Sequence, residues 1–156
     1  MRVFFVFLVL VIFNSCDKIP FLKKQNLPQL DTIVDFTSVD TSPSFKVCDS
    51  IFDKAKKSDC FRKIIHQKIG GELLKHQFNI KDTINETVYV DLIIDASGKI
   101  ILDSIQSSEN IKKQLPKLDS LIKFSVENLP IIFPAIKKRY KVSTKYQLPI
   151  RIFLKD

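Results

Sequence analysis

The side chains that could carry out catalysis are few in this chain. Its two histidines, His66 and His76, are ten residues apart, and on one helix they would point about 80° away from each other. A helical metal site uses the i, i+4 spacing instead, so both are expected to be surface or boundary residues. Asp91, Asp95 and Asp103 lie close together in sequence, but no nucleophile, base and oxyanion-binding group can be assembled around them. We therefore expect them to be solvent-facing, and we expect no catalytic, metal or cofactor site.

The first fifteen residues have the layout of a secretory signal. A charged tip, Met1-Arg2, precedes an apolar run from Val3 to Phe13 and the polar pair Asn14-Ser15. A membrane-spanning helix needs about 20 apolar residues, and this run has about half that number. Residues 1–15 are therefore predicted to be a cleaved export signal.

The peptide Phe13-Asn14-Ser15-Cys16 resembles the lipobox of bacterial lipoproteins, in which a small residue precedes an invariant cysteine. The resemblance implies that Cys16 becomes the first residue after cleavage and carries a diacylglyceryl thioether, usually with an amide-linked acyl chain. Two or more acyl chains anchor a protein stably. The implied location is the cell envelope, facing the periplasm, with the outer membrane favoured over the inner and the bilayer as the first partner. The alternative is an ordinary signal peptide followed by an unrelated cysteine.

With Cys16 assigned to the anchor, Cys48 and Cys60 remain as an even pair in an oxidising compartment. A disulfide between them would close a loop of about 13 residues and stabilise the fold by on the order of 3 kcal/mol. Zinc ligation and a redox pair are the alternatives. The spacing is not Cys-x-x-Cys, however, and no second group of ligands is nearby in the sequence. We expect the disulfide.

The charge of the chain bears on its partners. Removing residues 1–15 takes one residue, Arg2, from the 25 Lys and Arg, so 24 basic residues face 17 acidic ones, a net charge of +7. Such a surplus can indicate nucleic-acid binding. Export argues against a nucleic-acid partner, and the lysines are spread along the chain. The sequence therefore predicts a solvated basic surface near anionic lipid or acidic partners.

Periodicity defines the elements that follow the anchor. Residues 16–40 show no sustained pattern, so we predict the lipidated N-terminus and a flexible tether there. A helix should begin at Ser58, a suitable N-cap, and end near Asn79, since apolar residues recur at three- and four-residue steps. Gly70-Gly71 within it cost roughly 1 kcal/mol each relative to alanine. They indicate a bend or a close approach of another element.

The second half of the chain alternates between strand and helix patterns. Two strands, Thr87 to Asp95 and Lys99 to Ile105, flank Ala96-Ser97-Gly98, whose glycine can take a positive φ, so an antiparallel hairpin is predicted. Helical spacing returns from Leu115 to Leu129, with Pro116 acceptable in the first turn.

A last strand is predicted from Thr144 to Leu154. Because Pro149 cannot donate a ladder hydrogen bond, this strand should lie at a sheet edge or be bonded on one side there. The predicted order is helix, strand, strand, helix, strand. This is an α+β fold with two helices packed on one face of a small three-stranded antiparallel sheet.

From about Thr41 to Leu154 the chain resembles the C-terminal domain of TonB-like energy transducers, especially the form common in Bacteroidetes. The marks of the resemblance, whose order and spacing matter more than any one of them, are Pro43 to Cys48, Cys60, Val88-Tyr89-Val90, Ile94 to Ile100, Leu115 to Asp119, Leu129-Pro130, Phe133-Pro134-Ala135 and Tyr146 to Ile150. The resemblance implies one domain over residues 41–156 with the fold of the TonB and TolA C-terminal domains.

Two features depart from that family. A TonB protein keeps an N-terminal helix that engages a proton-driven motor, followed by a long proline-rich segment. This chain has a cleavable signal, Cys16 and a short tether in their place. The basic stretch Ile136 to Lys141 also replaces a glycine-containing turn. The resemblance thus implies the fold more directly than it implies energised transport.

In the TonB family the last strand offers its free backbone edge to an extended segment of an outer-membrane receptor. The resemblance places that edge in this chain at Thr144, Tyr146, Gln147, Leu148, Ile150, Arg151 and Ile152. The expected function is binding of a receptor or other envelope protein by strand addition, accessory to transport. The alternative is a structural or self-associating envelope lipoprotein with no transport role, in which the edge pairs with a second copy to form a homodimer.

Overall fold

A computed structural model describes residues 33–155 of the chain, which belong to one compact unit. The predicted signal peptide, Cys16 and most of the predicted tether lie outside the described residues. Within the described residues, no helix has the length and apolar character required to cross a membrane.

Residues 33–155 contain three helices and six strands, which confirms the α+β class. The helices are α1 (Lys54–Leu73), α2 (Glu109–Gln114) and α3 (Leu118–Glu127). Short 3-10 turns lie at Phe36–Ser38 and Lys46–Cys48. The strands are β1 (Val34–Asp35), β2 (Ile84–Ile94), β3 (Ile100–Gln106), β4 (Ala135–Lys137), β5 (Tyr140–Val142) and β6 (Thr144–Leu154).

The main sheet has four strands in the order β1-β6-β2-β3. β6 is antiparallel to β2 along its whole length, and β2 is antiparallel to β3. β1 is parallel to β6. The prediction of a three-stranded, purely antiparallel sheet is therefore wrong, because an N-terminal segment adds to β6. β4 and β5 form a separate two-stranded sheet that was not predicted.

The added strand comes from residues that the sequence analysis assigned to the tether. Val34 and Asp35 pair with Thr144 and Lys145, and Val39 is buried. The folded unit thus begins before the predicted boundary at residue 41. A strand of two residues is too short for the alternation that identifies strands in a sequence, so periodicity gives no sign of it.

The predicted hairpin between β2 and β3 is confirmed, and its turn depends on Gly98. This residue has a φ of 89°, and its carbonyl accepts a hydrogen bond of 2.9 Å from the amide of Ile132. A Cβ built at residue 98 would lie 1.8 Å from the carbonyl oxygen of Ile132. The glycine therefore serves both the turn and the close approach of the segment after α3.

The helices differ from the predicted ones at their ends. α1 begins after Asp53, whose carboxylate accepts a hydrogen bond of 2.8 Å from the amide of Lys56, rather than at Ser58. It ends at Leu73, before the predicted Asn79. The predicted second helix, Leu115 to Leu129, corresponds to α3 and starts three residues later, at Leu118. α2 lies before the predicted start and was not predicted. Leu115 separates the two helices, because a residue that precedes a proline is disfavoured in helical conformation.

The hydrophobic core lies on one face of the main sheet. Alternate residues of β2, such as Val90 and Leu92, are fully buried there. The ring of Phe61 on α1 contacts those of Phe36 and Tyr146, with centroids 5.5 and 5.2 Å apart. This aromatic cluster joins the N-terminal segment, α1 and β6. On the opposite face, β2 is exposed at Asn85, Thr87 and Tyr89.

Candidate protein-binding edge

One long side of β6 is paired with β2, and the other side is paired with a strand only where β1 lies. β1 pairs with Thr144 and Lys145. No other strand of the described residues lies beyond β6. Thr144, the first residue of the predicted binding edge, is fully buried. The open part of the edge therefore begins after it and runs from Gln147 to Phe153.

The direction of the peptide groups along this edge follows from a single hydrogen bond. The amide of Val34 donates to the carbonyl of Ser143 at 2.8 Å, so the carbonyl of Ser143 points away from β2. Peptide groups alternate in direction along a strand, and the register between β2 and β6 is continuous. The open edge consequently presents the peptide groups of Gln147, Pro149, Arg151 and Phe153.

The predicted edge residues divide into two groups. Tyr146 and Leu148 are buried and Ile150 and Ile152 are half-buried, and their peptide groups face β2. Gln147 and Arg151 are exposed, and their peptide groups face outwards. Buried and exposed side chains thus alternate along β6, as expected for a strand with one face on the core. The direction of the peptide groups in each set follows only from the hydrogen bond between Val34 and Ser143.

Pro149 interrupts the open edge. It lies opposite Tyr89 in β2 and its nitrogen faces outwards, where it has no hydrogen to donate. The edge thus offers amide donors at Gln147, Arg151 and Phe153 and a carbonyl acceptor at each of the four positions. The prediction that the strand is bonded on one side at Pro149 agrees with this geometry. Such interruptions limit unspecific pairing of edge strands.

A buried carboxylate lies beside the edge, on the face of the sheet away from the core. Asp91 is only 4% exposed. Its Oδ2 accepts hydrogen bonds from Ser104 Oγ (2.7 Å) and Gln106 Nε2 (2.8 Å), and its Oδ1 accepts one from Gln147 Nε2 (3.0 Å). The bond from Ser104 is the main cause of a pKa of Asp91 below its ordinary value, against the opposing effect of burial.

This arrangement corrects the expectation that Asp91 faces solvent. The three donors belong to β3 and β6, so the carboxylate is covered by residues distant in sequence. The hydrogen bonds from these donors favour the ionised form of Asp91. The carboxylate in turn orients the side chain of Gln147, which donates to it. Asp91 thereby fixes the orientation of one exposed side chain of the open edge.

Exposed rings and cations lie next to the open edge. The guanidinium of Arg151 donates to Asn85 Oδ1 at 3.0 and 3.2 Å. Tyr89 and Phe153 are 43% and 54% exposed. The ammonium of Lys155 lies 5.5 Å from the centre of the Phe153 ring. An extended peptide bound here would meet aromatic surface and positive charge along with the backbone edge.

A groove that the sequence analysis did not predict lies at the opposite edge of the main sheet. It has a volume of about 860 Å³ between β3 and α3, and its lining includes Ile100, Leu102, Lys123 and Val126. No sequence signal reports it, because the space between two elements depends on how they pack. Its open shape and mixed polar and apolar lining make it a second surface to test for peptide binding.

The residues considered for catalysis or metal binding are also placed. His66 lies on α1 and His76 lies after its end, so they do not share a helix as assumed above. Both are exposed. In the described part of the chain, no group of three or more His, Cys, Asp or Glu side chains is arranged to hold a metal ion.

Cys48 and Cys60 form a disulfide, which confirms their predicted pairing. Their Cα atoms are 6.0 Å apart. The bond ties the turn at Lys46–Cys48 to α1, next to the stacked rings of Phe45 and Phe61. It is a structural link on the core side of the sheet, away from the open edge.

No protein-family model, curated protein or solved structure matches this chain.

Proposed function

We propose that this protein is a lipoprotein of the bacterial envelope that binds an extended segment of another envelope protein along the open edge of β6. The lipobox-like peptide ending in Cys16 supports the lipid anchor. The TonB-like pattern from Thr41 to Leu154 supports strand addition as the binding mode. The bilayer is then one partner, and an outer-membrane receptor or related envelope protein is the other.

The observation that carries the proposal is the addition of β1 to β6. Val34 and Asp35 form a parallel pair with Thr144 and Lys145, so this side of β6 already accepts an extended segment of its own chain. Strand pairing ends after Asp35, where the 3-10 turn at Phe36–Ser38 begins, and the ring of Phe36 packs against that of Tyr146. The rest of the edge is left for a second segment that continues in line with β1.

The size of the open edge sets the expected strength of binding. Seven residues, Gln147 to Phe153, span about 23 Å and offer three amide donors and four carbonyl acceptors. A segment of this length buries less surface than a standard stable interface. Binding should therefore be reversible, with the lipid anchor raising the local concentration of the domain near its partner.

Pro149 makes binding of a different protein more favourable than pairing with a second copy of this chain. In a two-fold antiparallel pair centred on Pro149, both strands lack the amide donor at the same place, so two hydrogen bonds are missing at the centre of the interface. A different partner strand loses only one. The edge consequently favours a heterologous segment over a homodimer. The homodimer stays the alternative, since the outward donors of Gln147 and Arg151 would still be available to a copy.

Site-specific crosslinking in cells tests the proposal. A photoreactive residue at Arg151 should yield a crosslink to an envelope protein, whereas one at Lys123, in the groove between β3 and α3, should not. Crosslinks only between copies would support the homodimer, and crosslinks only from Lys123 would move the binding site to the groove. The absence of any crosslink from Arg151 would overturn both edge hypotheses.

The lipid anchor is tested separately with a fatty-acid probe. The wild-type chain should incorporate the probe in cells, and the Cys16→Ser variant should not. An unlabelled wild-type chain would overturn the lipoprotein assignment while leaving the binding edge to be judged by crosslinking.

A further inference from the structure

We infer that the hairpin formed by β4 and β5 contacts the membrane and binds anionic lipid headgroups, next to the place where the tether joins the fold. The nearness of a membrane rests on the proposed anchor at Cys16. The lipid affinity of the hairpin is a separate property and is measured separately.

The hairpin concentrates charge at its turn. Four of five consecutive residues are basic, namely Lys137, Lys138, Arg139 and Lys141, and Tyr140 lies between them. Lys138, Arg139 and Lys141 are exposed, and Tyr140 is 69% exposed. Anionic lipid attracts Lys and Arg near its surface, and tyrosine is enriched where bilayer and water meet. The combination matches the chemistry of an anionic membrane surface.

The backbone of the turn is unusual for its residues. Lys138 and Arg139 have φ values of 48° and 68°, a region that glycine and asparagine adopt far more readily. Two-residue hairpins with this geometry favour Asn-Gly. The carboxylate of Asp40 helps to hold the turn by accepting a hydrogen bond of 2.7 Å from the amide of Lys138. The turn thus holds two long basic side chains at the tip although their positive φ angles are energetically unfavourable.

The tip lies at the same end of the fold as the first described residues. β5 ends at Val142, and the next residue, Ser143, accepts the hydrogen bond from the amide of Val34. From Ser143 to the tip of the hairpin is about 13 Å along the strand. Lys137 Nζ also lies 3.3 Å from Ser38 Oγ, in the N-terminal segment. The N-terminal end of the described residues and the basic tip are therefore neighbours.

The tether is long enough to bring the tip to the bilayer. Cys16 and Ile33 are 17 residues apart, a span of at most about 60 Å when extended and about 23 Å as a flexible coil. Screening by salt limits the attraction between the tip and the bilayer to distances of about 10 Å at moderate salt. A tether of the coil length allows the tip to come that close to the bilayer. β6 extends about 33 Å from Thr144, next to the hairpin, to Leu154, which makes the end of this strand a suitable reference position for the contact.

A single tryptophan reports the contact. The chain contains no tryptophan, so Tyr140→Trp places one reporter at the tip and Phe153→Trp places one near the far end of β6. Both are made in the full chain carrying Cys16→Ser, so that acylation does not contribute. Each protein is mixed with vesicles of phosphatidylcholine, with and without phosphatidylglycerol. The emission of Tyr140→Trp should shift to the blue only with phosphatidylglycerol, and that of Phe153→Trp should not shift.

Charge variants separate the hairpin from net charge. Lys138→Asn with Arg139→Gly removes two charges and suits the positive φ angles, so the fold should be retained. Its affinity for the anionic vesicles should fall at least tenfold. Lys81→Gln with Lys113→Gln removes the same charge at the far end, where Gln114 Oε1 accepts from the amide of Lys81. This control should change affinity less than twofold.

Three results would overturn the inference. The first is that the emission of Tyr140→Trp does not shift with anionic vesicles. The second is that both charge variants weaken binding equally. The third is that the hairpin binds a soluble acidic peptide but no vesicle. The last result would assign the hairpin to an acidic protein. Failure of fatty-acid labelling at Cys16 would overturn the anchor and leave the measured affinity of the hairpin unaffected.

Discussion

The side-chain amide of Gln147 donates a hydrogen bond of 3.0 Å to the carboxylate of Asp91. Gln147 belongs to the open edge of β6, and Asp91 lies buried in the central strand β2. The bond therefore couples the orientation of an exposed edge residue to a fixed charge inside the sheet. Both the stability of the fold and the order of the edge should depend on that carboxylate.

Replacing Asp91 by alanine should destabilise the fold. Ser104, Gln106 and Gln147 would lose their shared acceptor, and the free energy of unfolding should fall by about 1–3 kcal/mol. Urea denaturation followed by circular dichroism measures the loss. The matched control is Asp103→Ala, which removes only an exposed pair with Lys145 and should cost less than about 1 kcal/mol. Equal losses would contradict the role given to Asp91.

The same carboxylate should make stability depend on pH. The pKa of Asp91 in the folded state is lower than its ordinary value of 3.8, so folding favours the ionised form. Its contribution is complete above about pH 4 and is lost as the pH falls through the folded pKa. Between about pH 5 and pH 2.5, the melting temperature of Asp91→Asn should fall less steeply than that of wild type. Parallel curves would show that Asp91 does not contribute.

The disulfide should account for a measurable part of the stability. Cys48→Ser with Cys60→Ser opens a link between residues 12 apart, and the loss should be on the order of 3 kcal/mol. Denaturation of wild type with added reductant should show a similar loss. Reductant should have no effect on the double variant. If it destabilises both proteins equally, the effect does not come from this bond.

Two glycines should respond oppositely to alanine. Gly98→Ala puts a Cβ 1.8 Å from the carbonyl oxygen of Ile132 at a φ of 89°, and should cost more than about 2 kcal/mol. Gly70 has no atom within 4 Å of the Cβ position, so Gly70→Ala should stabilise α1 by about 0.5–1 kcal/mol. Thermal unfolding of the two variants measures both effects. A destabilising Gly70→Ala would mean that the helix needs its glycine.

Restoring the missing donor should make the edge self-associate. In Pro149→Val the new amide faces outwards, so the stability of the monomer should change by less than about 1 kcal/mol while dimers increase. Sedimentation velocity over a range of concentrations measures the dimers. Arg151→Val is the control, because it adds the same apolar side chain without adding a donor. Equal association of the two variants would point to the side chain instead of the backbone.

The elements that were predicted correctly are those whose sequence pattern extends over only a few neighbouring residues. Alternation in β2 and β6 and the glycine at residue 98 predicted three strands and their hairpin, since these features act over a few residues. β1 escaped prediction because it has two residues and its partner, Thr144, is more than a hundred positions away. The turn at Lys138 and Arg139 escaped because neither residue type signals a positive φ.

The candidate site was predicted only in outline. The position of β6 near an edge followed from Pro149. The burial of Asp91 did not, because Ser104 and Gln147 come to it from two other strands. The position at which the open edge starts could not be predicted from the sequence either, because it depends on where β1 pairs with β6. What was missed in each case is a contact between distant parts of the chain, which periodicity does not encode.

The short strand β1 also determines how the molecule would respond to mechanical load. A pull on the N-terminal chain is transmitted first to the two residue pairs that join β1 to β6, and then to the ring of Phe36, whose centroid lies 5.1 Å from that of Tyr146. Two pairs should yield at a lower force than the eleven pairs that join β2 to β6. Their rupture would uncover Thr144 and Lys145, so tension would lengthen the edge available to a partner. Force spectroscopy with handles at Ile33 and Lys155 should record this release as an early event before global unfolding.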